Sequence, residues 1–222
     1  MNPSARLVSA LVVGVVVAAC NKSATPPAPL TLVHAKAVAA AGVLTAADLP
    51  GYEVKAQTKD PTDDVTTAEL ATCLGVAKPT FVTQDLGRAF TKGNLEVDSS
   101  VDIAPSRADA KQSVATFTSA KAPDCFKAQL DKAMQAAGVT VTSFTATRQT
   151  IAIPGSDAAY AYSLSVDATT EGQSVPIRGF QAGAVVGQAE LDLSVIGNPT
   201  ESLTFAEVKA LLTKAVARAA AA

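Results

Sequence analysis

Residues 158–196 read AAYAYSLSVDATTEGQSVPIRGFQAGAVVGQAELDLSVI, and their pattern indicates the fold class. It divides into extended segments rich in small, apolar and β-branched residues, and another such segment precedes it. The segments are 139–153, 158–168, 174–186 and 188–196, and Pro154-Gly155, Glu171-Gly172 and Gly187-Gln188 separate them. Strands joined by such short glycine-containing turns must run antiparallel to their neighbours. The stretch therefore predicts an antiparallel sheet.

The upstream sequence adds strands and helices to this sheet. Apolar and polar residues alternate from Leu95 to Ile103, which predicts a half-buried strand, and residues 52–57 predict a shorter one. Capping residues predict a turn at Thr45 and helices that begin at Thr66, Ser106, Pro123 and Thr204. We therefore expect one α+β domain over residues 43–222, with an antiparallel sheet of about five to six strands packed against helices in two layers.

The N-terminal residues predict export. Arg6 precedes an uncharged apolar run, Leu7 to Ala19, that is too short to span a bilayer as a stable helix. The run ends in Val17-Ala18-Ala19-Cys20, which resembles the lipobox of bacterial lipoproteins. The resemblance implies that residues 1–19 are a signal peptide and that Cys20 carries the lipid. The alternative is an ordinary secretory signal that happens to precede a cysteine.

The lipobox also implies a location and a tether. Residues 20–42 are expected to form the lipidated N-terminus and a proline-rich tether, since NKSATPPAPL follows Cys20 directly. Two acyl chains attach a protein stably to a membrane. We therefore expect the domain at the outer face of the cytoplasmic membrane, with the membrane as a partner through the N-terminal lipid.

If Cys20 carries lipid, two cysteines remain, Cys73 and Cys125. Disulfides persist in exported proteins, so the two are expected to form a structural disulfide. The helix that begins at Thr66 places Cys73 on its inward face, and Cys125 falls in the first turn of the helix that begins at Pro123. The alternatives are a metal site or a redox pair, although a redox pair more often has the Cys-x-x-Cys spacing.

Composition excludes several classes of function. The chain has 18 Lys and Arg against 20 Asp and Glu, a net charge of −2, and only 5% aromatic residues, so no nucleic acid is expected as a partner. His34 is the sole histidine, which removes most histidine-based catalysis and metal binding. No cofactor motif is present, and we expect no cofactor, no metal and no enzyme activity.

Aromatic residues offer one candidate binding site. Tyr160 and Tyr162 lie on one face of a predicted strand, and Phe180 follows on a neighbouring strand. Together they are a possible ligand cleft for an apolar envelope molecule. The alternative is that they belong to the hydrophobic core. A second set, Glu96, Asp98 and Asp102, forms the acidic side of the alternating strand and suggests a cation or a basic partner, or simply a solvated face.

Short motifs carry a family resemblance. They are LTAADLPGY at residues 44–52, CLG at 73–75 and SSV at 99–101, ahead of a helix ending near Cys125. They resemble an LpqN-like exported lipoprotein family of high-GC Gram-positive bacteria. This resemblance implies a compact α+β fold of the Mog1/PsbP type, one disulfide and no established catalytic residues. A looser likeness is to the extracellular sensor domains of receptor kinases, which typically have two disulfides, whereas this chain has cysteines for one.

The sequence thus predicts a non-enzymatic binding or accessory module of the cell envelope that engages an envelope ligand or protein. The first alternative is an extracellular sensor or regulatory domain. The second is a hydrolase of unfamiliar type that uses Ser with Lys or a carboxylate.

Overall fold

The structure, a computed structural model, describes residues 30–57 and 63–222, with side chains described from Ala68 onward in the second range. These residues form five helices and eight strands. The helices are α1 (Leu32–Gly42), α2 (Asp63–Leu74), α3 (Arg107–Phe117), α4 (Ala122–Ala136) and α5 (Phe205–Ala221). The strands are β1 (Glu53–Ala56), β2 (Thr83–Asp85), β3 (Arg88–Lys92), β4 (Leu95–Ile103), β5 (Thr140–Arg148), β6 (Ala158–Thr170), β7 (Gln173–Val186) and β8 (Ala189–Gly197).

The strands form one sheet in the order β1-β3-β4-β8-β7-β6-β5, and β2 pairs with β4. Neighbouring strands all pair antiparallel, which confirms the predicted α+β class and sheet type. The predicted number of five to six strands was too low. The sequence analysis missed β2 and β3, because strands of three and five residues are too short to show a clear alternation.

Helices cover both faces of the sheet, so the predicted two-layer arrangement was wrong. Helices α1 and α5 lie on the face that we call the α5 face, and α3 and α4 lie on the opposite α3 face. The central strands supply buried side chains to both sides: Ala161 is buried on the α5 face and Tyr162 on the α3 face. Strands buried on both faces require a layer on each.

Helix α5 follows the sequence prediction closely. The backbone N–H of Glu207 donates to the Thr204 hydroxyl, and the Glu207 carboxylate accepts from the Thr204 backbone N–H, which completes the predicted capping box. The buried side of α5 packs on β7 and β8. Ser106 likewise caps α3 as predicted. Thr66 does not cap α2, which begins three residues earlier, at Asp63.

Helix α1 belongs to the domain, so the tether predicted over residues 20–42 was too long. Ala35, Val38 and Ala39 are buried against the core on the α5 face. The C-terminal end of α1 also packs closely on the sheet, because a Cβ at Gly42 would lie 2.9 Å from Cγ2 of Val101. Small residues allow this close approach between helix and sheet. The domain therefore begins before residue 43.

Candidate functional site

Cys73 and Cys125 form the predicted disulfide, which joins α2 to α4 across 52 residues of sequence. Cys125 is buried, but Cys73 is exposed, so its predicted inward position was wrong. Helix α2 packs mainly on α4 rather than on the sheet, and this peripheral position leaves Cys73 open to solvent. An ion pair between Glu69 and Lys132 links the same two helices. The disulfide thus holds α2 at the outside of the α3 face.

Tyr160 and Tyr162 belong to the core and do not line a cleft. They are 3% and 2% exposed under α3 and α4. The Tyr162 hydroxyl donates to the backbone carbonyl of Phe117 over 2.8 Å, and the Tyr160 ring stacks on the Phe117 ring at 5.1 Å between centroids. These contacts seal the space that the sequence analysis assigned to a ligand.

Phe180 lies on the opposite side of the sheet from the two tyrosines. It pairs with Ser163 of β6 and stacks on Phe205 of α5 at 5.9 Å, whereas Tyr162 pairs with Gln181. The three residues of the predicted cleft are therefore not brought together. The two-residue turn Glu171-Gly172 fixes this register. Even-numbered residues of β6, such as Tyr160 and Tyr162, pair with odd-numbered residues of β7, and paired residues lie on the same face of the sheet. The even-numbered Phe180 therefore lies on the other face.

A polar link crosses the α3 face next to the tyrosines. The Tyr160 hydroxyl donates to the Asp192 carboxylate over 2.6 Å, and the ring passes over Gly183 of the intervening strand. A Cβ at Gly183 would lie 2.4 Å from the ring. Glycine is therefore needed at position 183 for the Tyr160 hydroxyl to reach Asp192. Burial raises the pKa of Asp192 to about 6, although the hydrogen bond from Tyr160 lowers it.

An apolar cavity lies between α2, α3 and the loop of residues 75–82 that joins α2 to β2. We call it the α2–α3 pocket; its volume is about 330 Å³. Its walls are mostly apolar and consist of Leu70, Ala71, Leu74, Val76, Ala77, Pro79, Phe81, Ala104 and Phe117. Lys78, Thr80, Asp109, Gln112, Ser113, Thr116 and Glu190 supply the polar lining. This size lies at the lower end of the range for small-molecule sites.

The sequence analysis missed this pocket. Its one local signal is the apolar residues of the loop after Gly75, namely Val76, Pro79 and Phe81, which a solvated loop would not need. Val76 is 36% exposed at the pocket. The remaining lining comes from helices far apart in sequence.

Glu190 of β8 is the most deeply buried acidic group in the pocket, at 8% exposed. Burial raises the pKa of Glu190 to about 8, and the nearby carboxylates of Asp192, Asp102 and Asp109 raise it further. A hydrogen bond with Ser113 of α3 lowers this pKa. Glu190 is therefore mainly protonated at neutral pH and ionises slightly above it.

The predicted acidic side of β4, formed by Glu96, Asp98 and Asp102, is only partly open to solvent. Glu96 is exposed, and Asp98 and Asp102 are half-buried. Burial raises the pKa of Asp98 to about 6, and the neighbouring Glu96 raises it too. Within residues 30–57 and 63–222, no three His, Cys, Asp or Glu side chains are grouped so as to hold a metal ion.

Two predictions concern the N-terminal region. Cys20 lies outside the described residues, as does most of the predicted tether. His34 is exposed on α1 and lies on the α5 side of the sheet, away from the pocket.

Among the helices of the described ranges, none combines the length and the apolar character required to cross a membrane.

Comparison with known proteins gives a distant likeness only. No protein-family model and no curated protein matches the chain. The extracellular domain of PknH from Mycobacterium tuberculosis is similar over 88% of this chain and 99% of its own, with 11% identity and a TM-score of 0.44. A protein of unknown function from Pseudomonas aeruginosa, described as a putative regulator, is similar over 53% of this chain and 70% of its own, with 18% identity and a TM-score of 0.25. Neither likeness carries a functional argument.

The α2–α3 pocket has the composition of a binding site. Apolar walls hold a ligand by excluding water, and a few buried polar groups orient it. Thr116 lines the pocket with a hydroxyl group that donates to the backbone carbonyl of Gln112, and Ser113 with one that is hydrogen-bonded with Glu190. Glu190 adds a carboxyl group that exchanges a proton near neutral pH. The lining contains neither histidine nor cysteine.

Proposed function

We propose that this chain is a lipid-anchored, non-enzymatic binding module of the cell envelope, and that its ligand enters the α2–α3 pocket. The observation that carries the proposal is the pocket itself, an apolar cavity of about 330 Å³ open to solvent at one side of the domain. It replaces the aromatic cleft as the candidate site. No cofactor and no nucleic acid is part of the proposal.

The disulfide supports an exported location for this module. Cys73 and Cys125 are bonded, and such bonds persist in oxidising compartments outside the cytoplasm. The anchor rests on the sequence Val17-Ala18-Ala19-Cys20. We propose that lipid on Cys20 holds the domain at the outer face of the cytoplasmic membrane, where envelope molecules are within its reach.

The anchor is tested by metabolic labelling with a fatty-acid probe in the bacterial host. The wild-type chain should take up the label, and a Cys20→Ser variant should lose it and leave the membrane fraction. Label retained by Cys20→Ser would contradict the anchor and leave the pocket proposal to its own test.

Binding in the pocket is tested with decanol, a neutral single-chain probe, added to Cys20→Ala protein purified without detergent. Titration followed by methyl NMR should show saturable shifts confined to residues that line the pocket, such as Leu70, Leu74 and Val76. Shifts that do not saturate, or that spread over the whole surface, would contradict binding in the pocket.

Two variants of α3 provide a matched pair for this experiment. Thr116 lines the pocket, whereas Ala115 next to it is exposed and does not. Thr116→Phe should fill the cavity and abolish saturable binding, and Ala115→Phe should bind as the wild type does. Equal binding by the two variants would place the ligand elsewhere.

A further inference from the structure

The α2–α3 pocket combines an apolar wall with an acidic inner end. Leu74, Val76 and Phe81 contribute apolar surface from α2 and its following loop. Glu190 contributes a carboxyl group that is 8% exposed, from the strand beneath. The proton that Glu190 holds and its hydrogen bond with Ser113 offset part of the cost of burying this carboxyl group. Such a site selects a ligand with an apolar body and one polar end.

The charges around Glu190 decide which polar end fits. Carboxylates face it from three elements: Asp192 on its own strand β8, Asp102 on β4 and Asp109 on α3. The Tyr160 hydroxyl of β6 is occupied by its hydrogen bond to Asp192. These carboxylates disfavour a further negative charge at Glu190.

Two basic residues lie near the pocket. Lys78 lines it from the loop between α2 and β2. Arg107, at the start of α3, forms an ion pair with Asp157 and does not line the pocket. The pocket lining holds two carboxyl groups, those of Asp109 and Glu190, and one basic side chain, Lys78. The carboxylates of Asp102 and Asp192 act on Glu190 from outside the lining, and this acidic excess favours a cation over an anion beside Glu190.

We propose that the α2–α3 pocket takes a cationic single-chain amphiphile, whose chain lies along the apolar wall and whose ammonium group pairs with the Glu190 carboxylate. This inference rests on the proposed function, because it names the ligand class of the same pocket. A cavity of about 330 Å³ is small for a site of this kind, so it suits one chain rather than two.

Binding of an ammonium group changes the protonation of Glu190. In the protein without ligand, the Glu190 carboxyl group is protonated at neutral pH, since burial raises its pKa to about 8. A cation against the carboxylate favours the ionised form and lowers this pKa. The proton leaves to solvent as the ammonium pairs with the carboxylate, and an alkylammonium keeps its own charge up to about pH 9. Affinity therefore rises with pH until Glu190 is ionised in the free protein as well.

The experiment compares decylamine, decanol and decanoate by calorimetric titration of Cys20→Ala protein. Decylamine should bind most tightly and decanoate least. The affinity of decylamine should rise roughly tenfold from about pH 6.5 to about pH 8, whereas the affinity of decanol should stay nearly constant. Titrations in two buffers of different ionisation enthalpy should show release of about one proton for decylamine and none for decanol.

Two variants locate the effect. Glu190→Gln should remove both the pH dependence and the preference for decylamine over decanol, because the neutral amide cannot pair with the cation. Asp98→Asn is the matched control, an acidic residue on the same face of the sheet but outside the pocket lining, and it should behave as the parent protein does.

The outcomes separate this inference from the proposed function. If decanol binds and decylamine binds no more tightly, the pocket is a binding site but the cationic ligand class is wrong. If decylamine binds equally well to Thr116→Phe, the amine occupies another acidic surface and the inference is overturned. If none of the three probes shows saturable binding, both this inference and the proposed function are wrong. Should Glu190→Gln fail to fold, the proton release of the parent protein decides alone.

Discussion

Glu190 should make the protein less stable as pH rises from mildly acidic to mildly alkaline. Its pKa is raised from 4.5 to about 8 in the folded chain, mainly by burial. Between these values the folded state binds more protons than the unfolded state, so the free energy of unfolding falls with rising pH. The stability is fully present below about pH 4.5 and is lost progressively up to about pH 8.

The size of the effect follows from the pKa difference. At about 1.4 kcal/mol for each unit of pKa, Glu190 alone lowers the free energy of unfolding by up to about 5 kcal/mol over its whole range. Between about pH 5 and about pH 8 the expected loss is on the order of 3 kcal/mol. Asp98 and Asp192, with pKa values raised to about 6, add to the decline at its acidic end.

The assay is urea unfolding at a series of pH values, for the wild type and for Glu190→Gln. The variant should show a much shallower decline and should be more stable than the wild type at about pH 8, by on the order of 3 kcal/mol. Parallel stability profiles for the two proteins would refute the reasoning, because they would mean that Glu190 ionises as freely in the folded chain as in the unfolded one.

Three further changes test the packing around the site by urea unfolding. Gly183→Ala should lower the free energy of unfolding by about 1–3 kcal/mol, since the added Cβ would meet the Tyr160 ring; an unchanged value would contradict the close approach. Cys73→Ser removes a bond that closes 52 residues and should cost up to ~4 kcal/mol, with increased hydrogen exchange in α2; retained protection would show that α2 does not need the disulfide. Arg218 donates to the backbone carbonyls of residues 41 and 43 and forms an ion pair with Asp48, so Arg218→Ala should lower the free energy of unfolding by about 2 kcal/mol. A loss near zero would mean that these contacts do not stabilise the packing of α5 against the end of α1.

The parts of the fold that sequence predicts are those set by local interactions. The capping box of Thr204 and Glu207 needs only neighbouring residues, and α5 begins where it predicts. Strand β4 alternates its burial residue by residue, so its bounds, Leu95–Ile103, agree with the predicted ones. Such signals do not depend on what packs against the element.

The parts that the sequence analysis missed depend on distant contacts. Residues 32–42 look like the continuation of a tether, and packing on both α5 and the sheet makes them a core helix. The position of Phe180 depends on the register that the turn at Glu171-Gly172 imposes. Counting residues outward from this turn shows that Phe180 and Tyr162 are not paired, so the sequence itself contained this information. The only local signal of the α2–α3 pocket is the apolar loop after Gly75, because the rest of its lining comes from elements that are distant in the sequence. The cysteine pairing itself followed from the number of cysteines and the export signal.

The most direct test of a ligand in the α2–α3 pocket is the titration of decanol against the Thr116→Phe and Ala115→Phe pair. We expect saturable binding to the parent protein and to Ala115→Phe, with methyl shifts at Leu70, Leu74 and Val76, and no saturable binding to Thr116→Phe. If Thr116→Phe still binds decanol saturably, or if the folded parent protein does not, the ligand does not bind in the α2–α3 pocket.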